Sequence, residues 1–356
     1  MDLTLILDYI IISIIASMTI NSILRNYAKK YKILVDLPDR SRKFHKRPTP
    51  LTGGLGILLA VLISGKLYID LNNLNDYVPE FTFQLLIISI PLLLIFIIDD
   101  IKELKPIFRI IFQCVLSIYM IMSTGVYLES LGDLFGFGNI NLGLFGIPFT
   151  VFCVVGVMNA FNMMDGINGL CSGCAMIALL LIGFHSGLIY DSMLVLIIGS
   201  MIGFLIFNMG FLGKKRGVFL GDSGSNLIGF WVAWIAIYSS QNLFYNVEPI
   251  SMIWVIAIPL LDCIGLIFSR IKKGKSWSTA GRDHIHHKLM NRFSPRGTLL
   301  VILIVTLFTG LFGIVIEKYL TSYFSMLLFI IYGLLYYLVM GFIRNNFLNI
   351  YNKKNV

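Results

Sequence analysis

Long runs of apolar residues, separated by short polar segments, cover most of this chain. A helix needs about 20 mainly apolar residues to cross the hydrocarbon core of a bilayer, and its backbone polar groups must be paired within the segment. Each run therefore predicts a membrane-spanning helix. The runs lie at residues 3–24, 52–69, 81–98, 107–125, 143–160, 167–186, 192–208, 224–242, 250–269, 298–316 and 323–343. The pattern predicts an all-α integral membrane protein, a polytopic bundle of about eleven transmembrane helices that forms a single domain over residues 1–356.

The composition supports a chain embedded in lipid. Of the 356 residues, 57% are hydrophobic and 13% are charged, and the mean hydropathy is +0.84. A soluble core of this size cannot bury so much apolar surface. The first run starts with Asp2, has no basic leader and has no small-residue cleavage site, so we expect it to remain as an anchor.

The basic residues predict the orientation in the membrane. Of the 28 Lys and Arg residues, 26 lie at residues 25–50, 101–109, 214–216, 270–297 and after 343, and the opposite loops hold only Lys66 and Lys318. Cytoplasmic loops are enriched in Lys and Arg, so the N-terminus is predicted outside and the C-terminus inside. This distribution also explains the net charge of +9 by topology and argues against nucleic acid as a partner.

Two adjacent acids end the third apolar run. Asp99 and Asp100 are predicted at the inner membrane boundary, where their like charges repel each other. A divalent cation or a shared proton would relieve that repulsion, and Mg²⁺ favours one or two carboxylates together with water and phosphate oxygens. The alternative is a solvated helix end flanked by Lys102 and Lys105.

Polar residues recur at every third position near the end of the fifth run. They are Asn159, Asn162, Asp165 and Asn168, and this spacing makes a slowly drifting polar stripe on a helix. We interpret the stripe as the lining of a sugar or metal site. The alternative is a seam of hydrogen bonds between helices.

A glycine-rich segment, Gly221-Asp222-Ser223-Gly224-Ser225, joins a basic loop to the next run. Its amides and hydroxyls can donate to phosphate at a helix N-terminus while Asp222 holds a metal ion. The same residues are also typical of an ordinary helix cap, and the sequence alone does not separate the two.

Three of the five histidines, His284, His286 and His287, follow Asp283 in the longest basic loop. The loop has no cysteine or further histidine to complete a zinc site, which favours binding of anionic phosphates. Asp262 lies inside a predicted span and needs a partner. Whether that partner lies in the same cavity or on another helix is left open.

The first basic loop contains Lys43 and His45 and ends with Gly53 and Gly54. These residues are candidates to contact the anionic headgroup of a lipid acceptor. Retention of basic residues on the cytoplasmic side explains the charge equally well.

Taken in order, these motifs resemble those of the polyprenyl-phosphate N-acetylhexosamine-1-phosphate transferases over nearly the whole chain. The resemblance rests on five segments: Asp36-x-Pro38 through Arg42-Lys43-x-His45 and Pro48 to Gly53-Gly54; Asp99-Asp100; Asn159-Ala-Phe-Asn162-x-x-Asp165-Gly; Gly221-Asp222-x-Gly224-Ser225; and Asp283-His284-x-His286-His287. It implies a Mg²⁺ or Mn²⁺ cofactor, a UDP-sugar donor (usually UDP-N-acetylglucosamine), undecaprenyl phosphate as acceptor and UMP as leaving group. It also implies a multi-pass enzyme of the bacterial inner membrane that starts a surface polysaccharide, such as O-antigen, common antigen, capsule or a teichoic-acid linkage unit.

The resemblance further implies roles for single residues. Asp222 matches the principal metal ligand, and Asp99 with Asp100 matches the catalytic pair. The donor site and its diphosphate correspond to Asn162, Asp165, Arg270, Asp283, His284, His286 and His287. Asn168 stands where many bacterial members carry aspartate, and its amide oxygen can still coordinate the metal. The cytoplasmic loops 25–51, 99–106, 159–166, 209–223 and 270–297 are thus expected to form one active site.

A different class of function, a transporter or lipid-phosphate flippase, predicts polar groups near mid-bilayer. Most polar groups of this chain gather at one face, with Asp262 as the partial exception. Whether phosphoryl transfer is direct or passes through a covalent intermediate, and whether the chain forms a homodimer, is left open.

Overall fold

The computed structural model describes residues 3–38, 47–71, 79–274, 276 and 283–354, with the backbone alone at 3, 190, 214 and 342–354. Within these residues the chain forms thirteen α-helices and one two-stranded antiparallel hairpin. The elements are α1 (Leu3–Tyr31), β1 (Val35–Asp36), β2 (Thr49–Pro50), α2 (Gly53–Leu71), α3 (Glu80–Lys102), α4 (Pro106–Thr124), α5 (Gly146–Met164), α6 (Leu170–Ser186), α7 (Ser192–Asn208), α8 (Gly221–Gln241), α9 (Pro249–Val255), α10 (Ala257–Lys272), α11 (Ile285–Met290), α12 (Pro295–Tyr319) and α13 (Ser322–Lys354).

Seven of the described helices, α1 to α5, α12 and α13, are long and apolar enough to cross a membrane, and the count is eight if α9 and α10 form one bent span. The other three predicted spans correspond to α6, α7 and α8. Both α6 and α7 have 17 residues, or about 26 Å of rise, slightly less than a typical hydrocarbon core. An all-α polytopic membrane protein is therefore confirmed, while eleven spans and the orientation of the termini stay predictions.

The predicted span at 250–269 is not one continuous helix. The chain breaks at Ile256, and α9 and α10 meet at a bend of 78°. Pro259 lies just after the break and has no N–H to donate to the carbonyl of Val255, so the helical ladder is interrupted there. The bend directs α10 against α5 and α12.

Helix α8 lies at the centre of the fold and packs against α2, α3, α5 and α6. Phe230, Trp231 and Trp234 on this helix are fully buried. The indole N–H of Trp231 donates to Ser89 Oγ of α3 at 2.8 Å, which satisfies a polar group inside the core. This central position places the first turn of α8, and Asp222 with it, beside the end of α3 and the start of α4.

The β-hairpin holds the segment that leads into α8. Phe219 N donates to Pro50 O at 2.8 Å, Gly53 N donates to Phe219 O at 3.0 Å and Gly54 N donates to Leu220 O at 3.2 Å. A Cβ on Gly54 would overlap the backbone of Gly224, so this approach requires glycine. Gly53 and Gly54 are buried here, which gives them a packing role. Their predicted headgroup contact remains untested.

Candidate active site at the inner ends of the helices

The acids that end α3 contact the start of α8 directly. Asp222 N donates to Asp100 Oδ1 at 2.8 Å, and Ser223 N donates to Asp100 Oδ2 at 3.1 Å. Amides in the first turn of a helix lack intrahelical partners, and a carboxylate at this position satisfies them and complements the helix dipole. Asp100 therefore fixes the N-terminus of α8 and the position of Asp222.

An arginine that the sequence argument missed joins the acids of two helices. Arg109 Nε lies 2.9 Å from Asp99 Oδ2, and Arg109 Nη1 lies 3.1 Å from Asp222 Oδ2. The Nε–H group is directed at Leu104 O, at 3.2 Å, so the contact with Asp99 is an ion pair without hydrogen-bond alignment. From the sequence alone, Arg109 contributed only to the number of basic residues that predicts the orientation in the membrane. Its spacing of ten residues from Asp99, across the tight α3–α4 turn, is the signal that could have identified it.

Asp99 and Asp222 differ in their access to solvent. Asp99 is only 1% exposed, and its Oδ1 accepts from Leu104 N at 2.7 Å. The side chain of Asp222 is 38% exposed, and that of Arg109 is 26% exposed. A ligand arriving from solvent can thus reach Asp222 and Arg109, whereas Asp99 supports Arg109 from within the protein.

The polar stripe on α5 binds neighbouring helices. Asn159 Nδ2 donates to Gln113 Oε1 at 2.9 Å, Gln113 Nε2 donates to Asn226 Oδ1 at 2.7 Å, and Asn226 Nδ2 donates to Asp222 O at 2.8 Å. Asn162 Oδ1 accepts from Ser225 Oγ at 2.8 Å. This part of the stripe forms the interhelical seam that was the alternative interpretation, and the seam ends at Asp222. Gln113 and Asn226 are further residues that the sequence argument missed.

The loop between α5 and α6 carries Asp165 and Asn168, which are both exposed. Asp165 lies close enough to Asp222 and Asp100 for their negative charges to act on it. Asn208, at the end of α7, holds this loop in place: its Oδ1 accepts from Gly169 N at 2.6 Å, and its Nδ2 donates to Val218 O at 3.0 Å. One buried amide thereby connects the Asp165 loop to the segment before α8.

Asp262 of α10 binds the histidine loop. Its Oδ2 lies 3.1 Å from His284 Nδ1, and its Oδ1 accepts from Ile285 N at 2.9 Å. The carboxylate thus caps the start of α11 and orients one imidazole. The partner that the sequence left open for Asp262 is therefore the histidine loop itself, and the polar group inside the span is satisfied.

His286 connects the histidine loop to the Asp165 loop. It is 1% exposed, and a Cβ on Gly166 would overlap its Nε2 atom, so only glycine permits this contact. Its ring centroid lies 5.3 Å from that of His284 and 4.2 Å from that of His287. Burial and the two neighbouring imidazoles lower the pKa of His286 to about 3, which keeps the ring neutral. Within the described part of the chain, neither of its ring nitrogens has a hydrogen-bond partner.

The remaining predicted residues lie further from the acids or outside the description. Asp283 pairs with Lys273 at 3.2 Å, and both side chains are about half exposed. Arg270 occupies the last turn of α10, roughly two helical turns beyond Asp262. Lys43 and His45 lie outside the described residues.

The carboxylate oxygens of the candidate site are suited to a divalent ion. Among the described residues, no group of three His, Cys, Asp or Glu side chains converges as a ready metal site. Mg²⁺ does not require one, because it is commonly held by one or two carboxylates, water and substrate phosphates. Asp222, which is partly exposed and lies near Asp165, fits that description. The oxygen-only donors favour Mg²⁺ or Mn²⁺ over zinc.

Comparison with known proteins identifies similar chains. Residues 82–240, which contain the acids of α3, the α5–α6 loop and Asp222, match the model of glycosyl transferase family 4. The chain is 33% identical over 324 residues to the undecaprenyl-phosphate alpha-N-acetylglucosaminyl 1-phosphate transferase of Yersinia pestis, covering 87% of this chain and 85% of that protein. It is 32% identical over 298 residues to the protein of that name from Escherichia coli K12, covering 82% and 79%. For the Haemophilus influenzae protein of that name, the identity is 34% over 307 residues, with 82% of each chain covered.

Proposed function

Because the chain belongs to glycosyl transferase family 4, we propose that it transfers N-acetylglucosamine 1-phosphate from UDP-N-acetylglucosamine to undecaprenyl phosphate, with release of UMP. The observation that carries this proposal is the meeting of Asp100, Arg109 and Asp222, from three different helices, at one accessible place. Transfer of a phosphoryl group asks a protein mainly for positioning and for neutralisation of charge. This cluster supplies both.

We place the site on the cytoplasmic side of a bacterial inner membrane, in a bundle of about eleven spans with its N-terminus outside. The position of 26 of 28 Lys and Arg residues in the site-bearing loops and the C-terminal tail supports this orientation. A soluble nucleotide donor is then on the correct side. The acceptor headgroup reaches the same level from within the leaflet.

In the proposed reaction, an oxygen of the lipid phosphate attacks the β-phosphorus of the donor, which carries the sugar. The bond from that phosphorus to the bridging oxygen breaks, and its electron pair leaves with UMP. A divalent ion held by Asp222, with Asp165 and Asn168 beside it, would supply positive charge to the diphosphate. Arg109 adds a fixed cation next to Asp222.

The two acids of α3 have different parts in this proposal. Asp99 is buried and paired with Arg109, so we assign it the role of positioning that guanidinium. Asp100 is the more exposed of the pair and fixes the start of α8. We assign to Asp100 the contact with the acceptor phosphate, which must stay deprotonated to attack.

The histidine loop is proposed to bind the donor diphosphate. The ring of His286, which its surroundings keep neutral, can donate an N–H to a phosphate oxygen without repelling the divalent cation. Asp262 holds the loop through His284 and the amide of Ile285, and it acts as a positioning residue. This engagement also removes the main support for a flippase, because the acid inside the span is already satisfied.

The test is a transfer assay with purified protein, radiolabelled UDP-N-acetylglucosamine, undecaprenyl phosphate and Mg²⁺. Labelled lipid and UMP in equal amounts from the wild type, and neither from Asp222→Asn, are the expected results. Parallel reactions with UDP-N-acetylgalactosamine identify the preferred sugar. Absence of labelled lipid with every UDP-hexosamine would contradict the proposal.

A further inference from the structure

Four cations from three separate segments converge at the inner end of α1. Arg25 and Lys29 lie on α1, Arg47 lies just before β2, and Arg216 lies in the 3₁₀ turn that precedes the segment leading to α8. Arg25 is close enough to Arg216 for their charges to repel, and Lys29 is similarly close to Arg25 and Arg47. These four residues are called the basic cluster below.

No acid in the described part of the chain compensates the basic cluster. None of its members takes part in any ion pair between described residues. Arg25 Nη2 donates to the neutral amide of Asn26 at 2.6 Å, and Arg25 Nε is buried with no acceptor. The positive-inside rule explains why the cations are in these loops. It does not explain why side chains from three segments approach one another around an unsatisfied guanidinium.

The surroundings of the cluster indicate what kind of anion it takes. Ile23, Tyr27 and Tyr31, at the same end of α1, are each about half exposed, and the two tyrosine rings stack with centroids 6.1 Å apart. Exposed tyrosines near the end of an apolar helix are typical of the membrane interface. An anion at this depth is bound to a lipid, and guanidinium groups favour phosphate oxygens.

We propose that the basic cluster binds the phosphodiester headgroup of an anionic phospholipid from the cytoplasmic leaflet. These four residues lie in loops expected near the active site, but none of them has a role in the family resemblance or in the proposed reaction, and the cation that pairs with Asp99 and Asp222 is Arg109. A phosphate there would balance the charges of Arg25, Lys29, Arg47 and Arg216.

The cluster is coupled through the backbone to the candidate active site. Lys29 Nζ donates to Lys215 O at 2.8 Å, and Arg216 precedes Asp222 by six residues. Between them, Phe219 pairs with Pro50 and Gly53 of the hairpin region. A bound lipid would therefore hold the segment that positions Asp222. This consequence rests on the proposed function, and it predicts faster transfer when anionic phospholipid is present.

The test uses full-length protein in nanodiscs of phosphatidylcholine alone or with phosphatidylglycerol, and it measures two quantities. Native mass spectrometry counts retained phosphatidylglycerol, and the transfer assay measures activity. Each charge-assisted contact with a phosphate oxygen is worth roughly a tenfold change in binding. Arg25→Gln/Lys29→Gln should therefore weaken phosphatidylglycerol retention by more than tenfold and remove its activation of transfer.

The matched control is Lys30→Gln/Lys32→Gln, which removes the same charge from the same end of α1. Lys30 Nζ lies over the ring of Tyr31, 5.4 Å from its centroid, rather than in the cluster. Size-exclusion profiles and thermal unfolding establish that both double variants are folded. The control should retain phosphatidylglycerol as the wild type does.

The outcomes separate this inference from the proposed reaction. Equal loss of retained phosphatidylglycerol in the two double variants would mean that the lipid responds to diffuse surface charge. That result would overturn the proposed site. Displacement of the retained phospholipid by undecaprenyl phosphate at equal concentration would make the cluster an acceptor site instead, and would overturn it as well. Specific retention of phosphatidylglycerol in a protein with no transfer activity would support the site and refute the function.

Discussion

Acids occur at both ends of the helical bundle, the end proposed to face outside (the outer end) and the end proposed to face the cytoplasm (the inner end), and their surroundings differ. At the outer end, Glu317 of α12 accepts from Ser251 Oγ and from Glu248 N at 3.0 Å, and lies 2.6 Å from His185 Nε2. The side chains of His185 and Glu317 are only 10% and 12% exposed. At the inner end, Asp222 is 38% exposed and shares Arg109 with Asp99.

An acid marks a candidate site when it is open to solvent and still able to accept a ligand. An acid whose oxygens are already satisfied by protein donors marks a structural cluster. The outer acids are satisfied by donors on α6 and α9, so they join helices and have little capacity left for a ligand. At the inner end, two carboxylates share one arginine, and one of the two is open to solvent. That excess of negative charge can accept a cation and, with it, a phosphate.

The largest effect is expected at the exposed inner acid. Asp222→Asn removes the charge but keeps the shape, and we expect transfer to fall by about 10³-fold, as when a charge-stabilising group is lost. The transition temperature in detergent should change little, because Asp222 is partly exposed. Retained activity at saturating Mg²⁺ would show that this carboxylate is not the metal ligand.

The next effect tests the arginine that joins the two acids. Arg109→Gln should lower kcat/KM by about 10²-fold, because it removes a cation beside the diphosphate. Arg109→Lys should restore only part of the loss, since an ammonium cannot reach two carboxylates in the geometry of a guanidinium. Steady-state kinetics with varied donor measure both variants. Equal activity of Arg109→Gln and the wild type would reduce Arg109 to a structural ion pair.

Substitution in the outer cluster, formed by His185, Ser251 and Glu317, should lower stability and leave activity unchanged. Glu317→Gln leaves His185 and Ser251 without their shared acceptor, and we expect a loss of about 1–3 kcal/mol in the free energy of unfolding. The kcat and KM of the folded fraction should be unchanged, because the residue lies at the far end of the bundle. Thermal unfolding and transfer assays on one preparation check both statements. A fall in kcat without a fall in stability would break the comparison.

A smaller effect on activity is expected from substitution of Asp262, which holds the histidine loop in place. Asp262→Asn keeps an acceptor for Ile285 N but weakens the contact with His284, and kcat/KM for the donor should fall about tenfold, as expected when a supporting partner is lost. Combined with His284→Gln, the loss should be less than the product of the single losses, because the two residues act through one contact. Fully multiplicative losses would argue against this positioning role.

The smallest effect is on the pH dependence of stability, and it comes from His286. Because the pKa of His286 is lowered to about 3, the folded protein does not bind a proton there when the unfolded chain does so near pH 6.5. Stability from this residue is therefore complete above about pH 6.5 and is lost as pH falls toward 3, by at most about 1.4 kcal/mol per pH unit. His286→Gln cannot titrate, so the slope of transition temperature against pH should be shallower. An unchanged slope would show that His286 is not held neutral.

The pattern of polar and apolar residues predicted the positions of the helices and identified most of the acids of the candidate site. An apolar run of sufficient length must satisfy its own backbone hydrogen bonds in lipid, so the positions of the helices follow from local composition. Asp99 and Asp100 could be singled out because charge at the edge of an apolar run is costly. Asp165 was identified by the polar residue at every third position, and Asp222 by its glycine-rich segment.

Only the tertiary structure decided which side chains meet. Arg109 and Asn208 looked like an ordinary loop cation and an ordinary helix-end amide, because nothing local shows that they reach Asp222 and Gly169. The break at Ile256 and the partner of Asp262 likewise depend on how α10 packs. Distances between residues far apart in sequence are determined by the packing of whole helices, and a one-dimensional pattern of polar and apolar residues does not contain that packing.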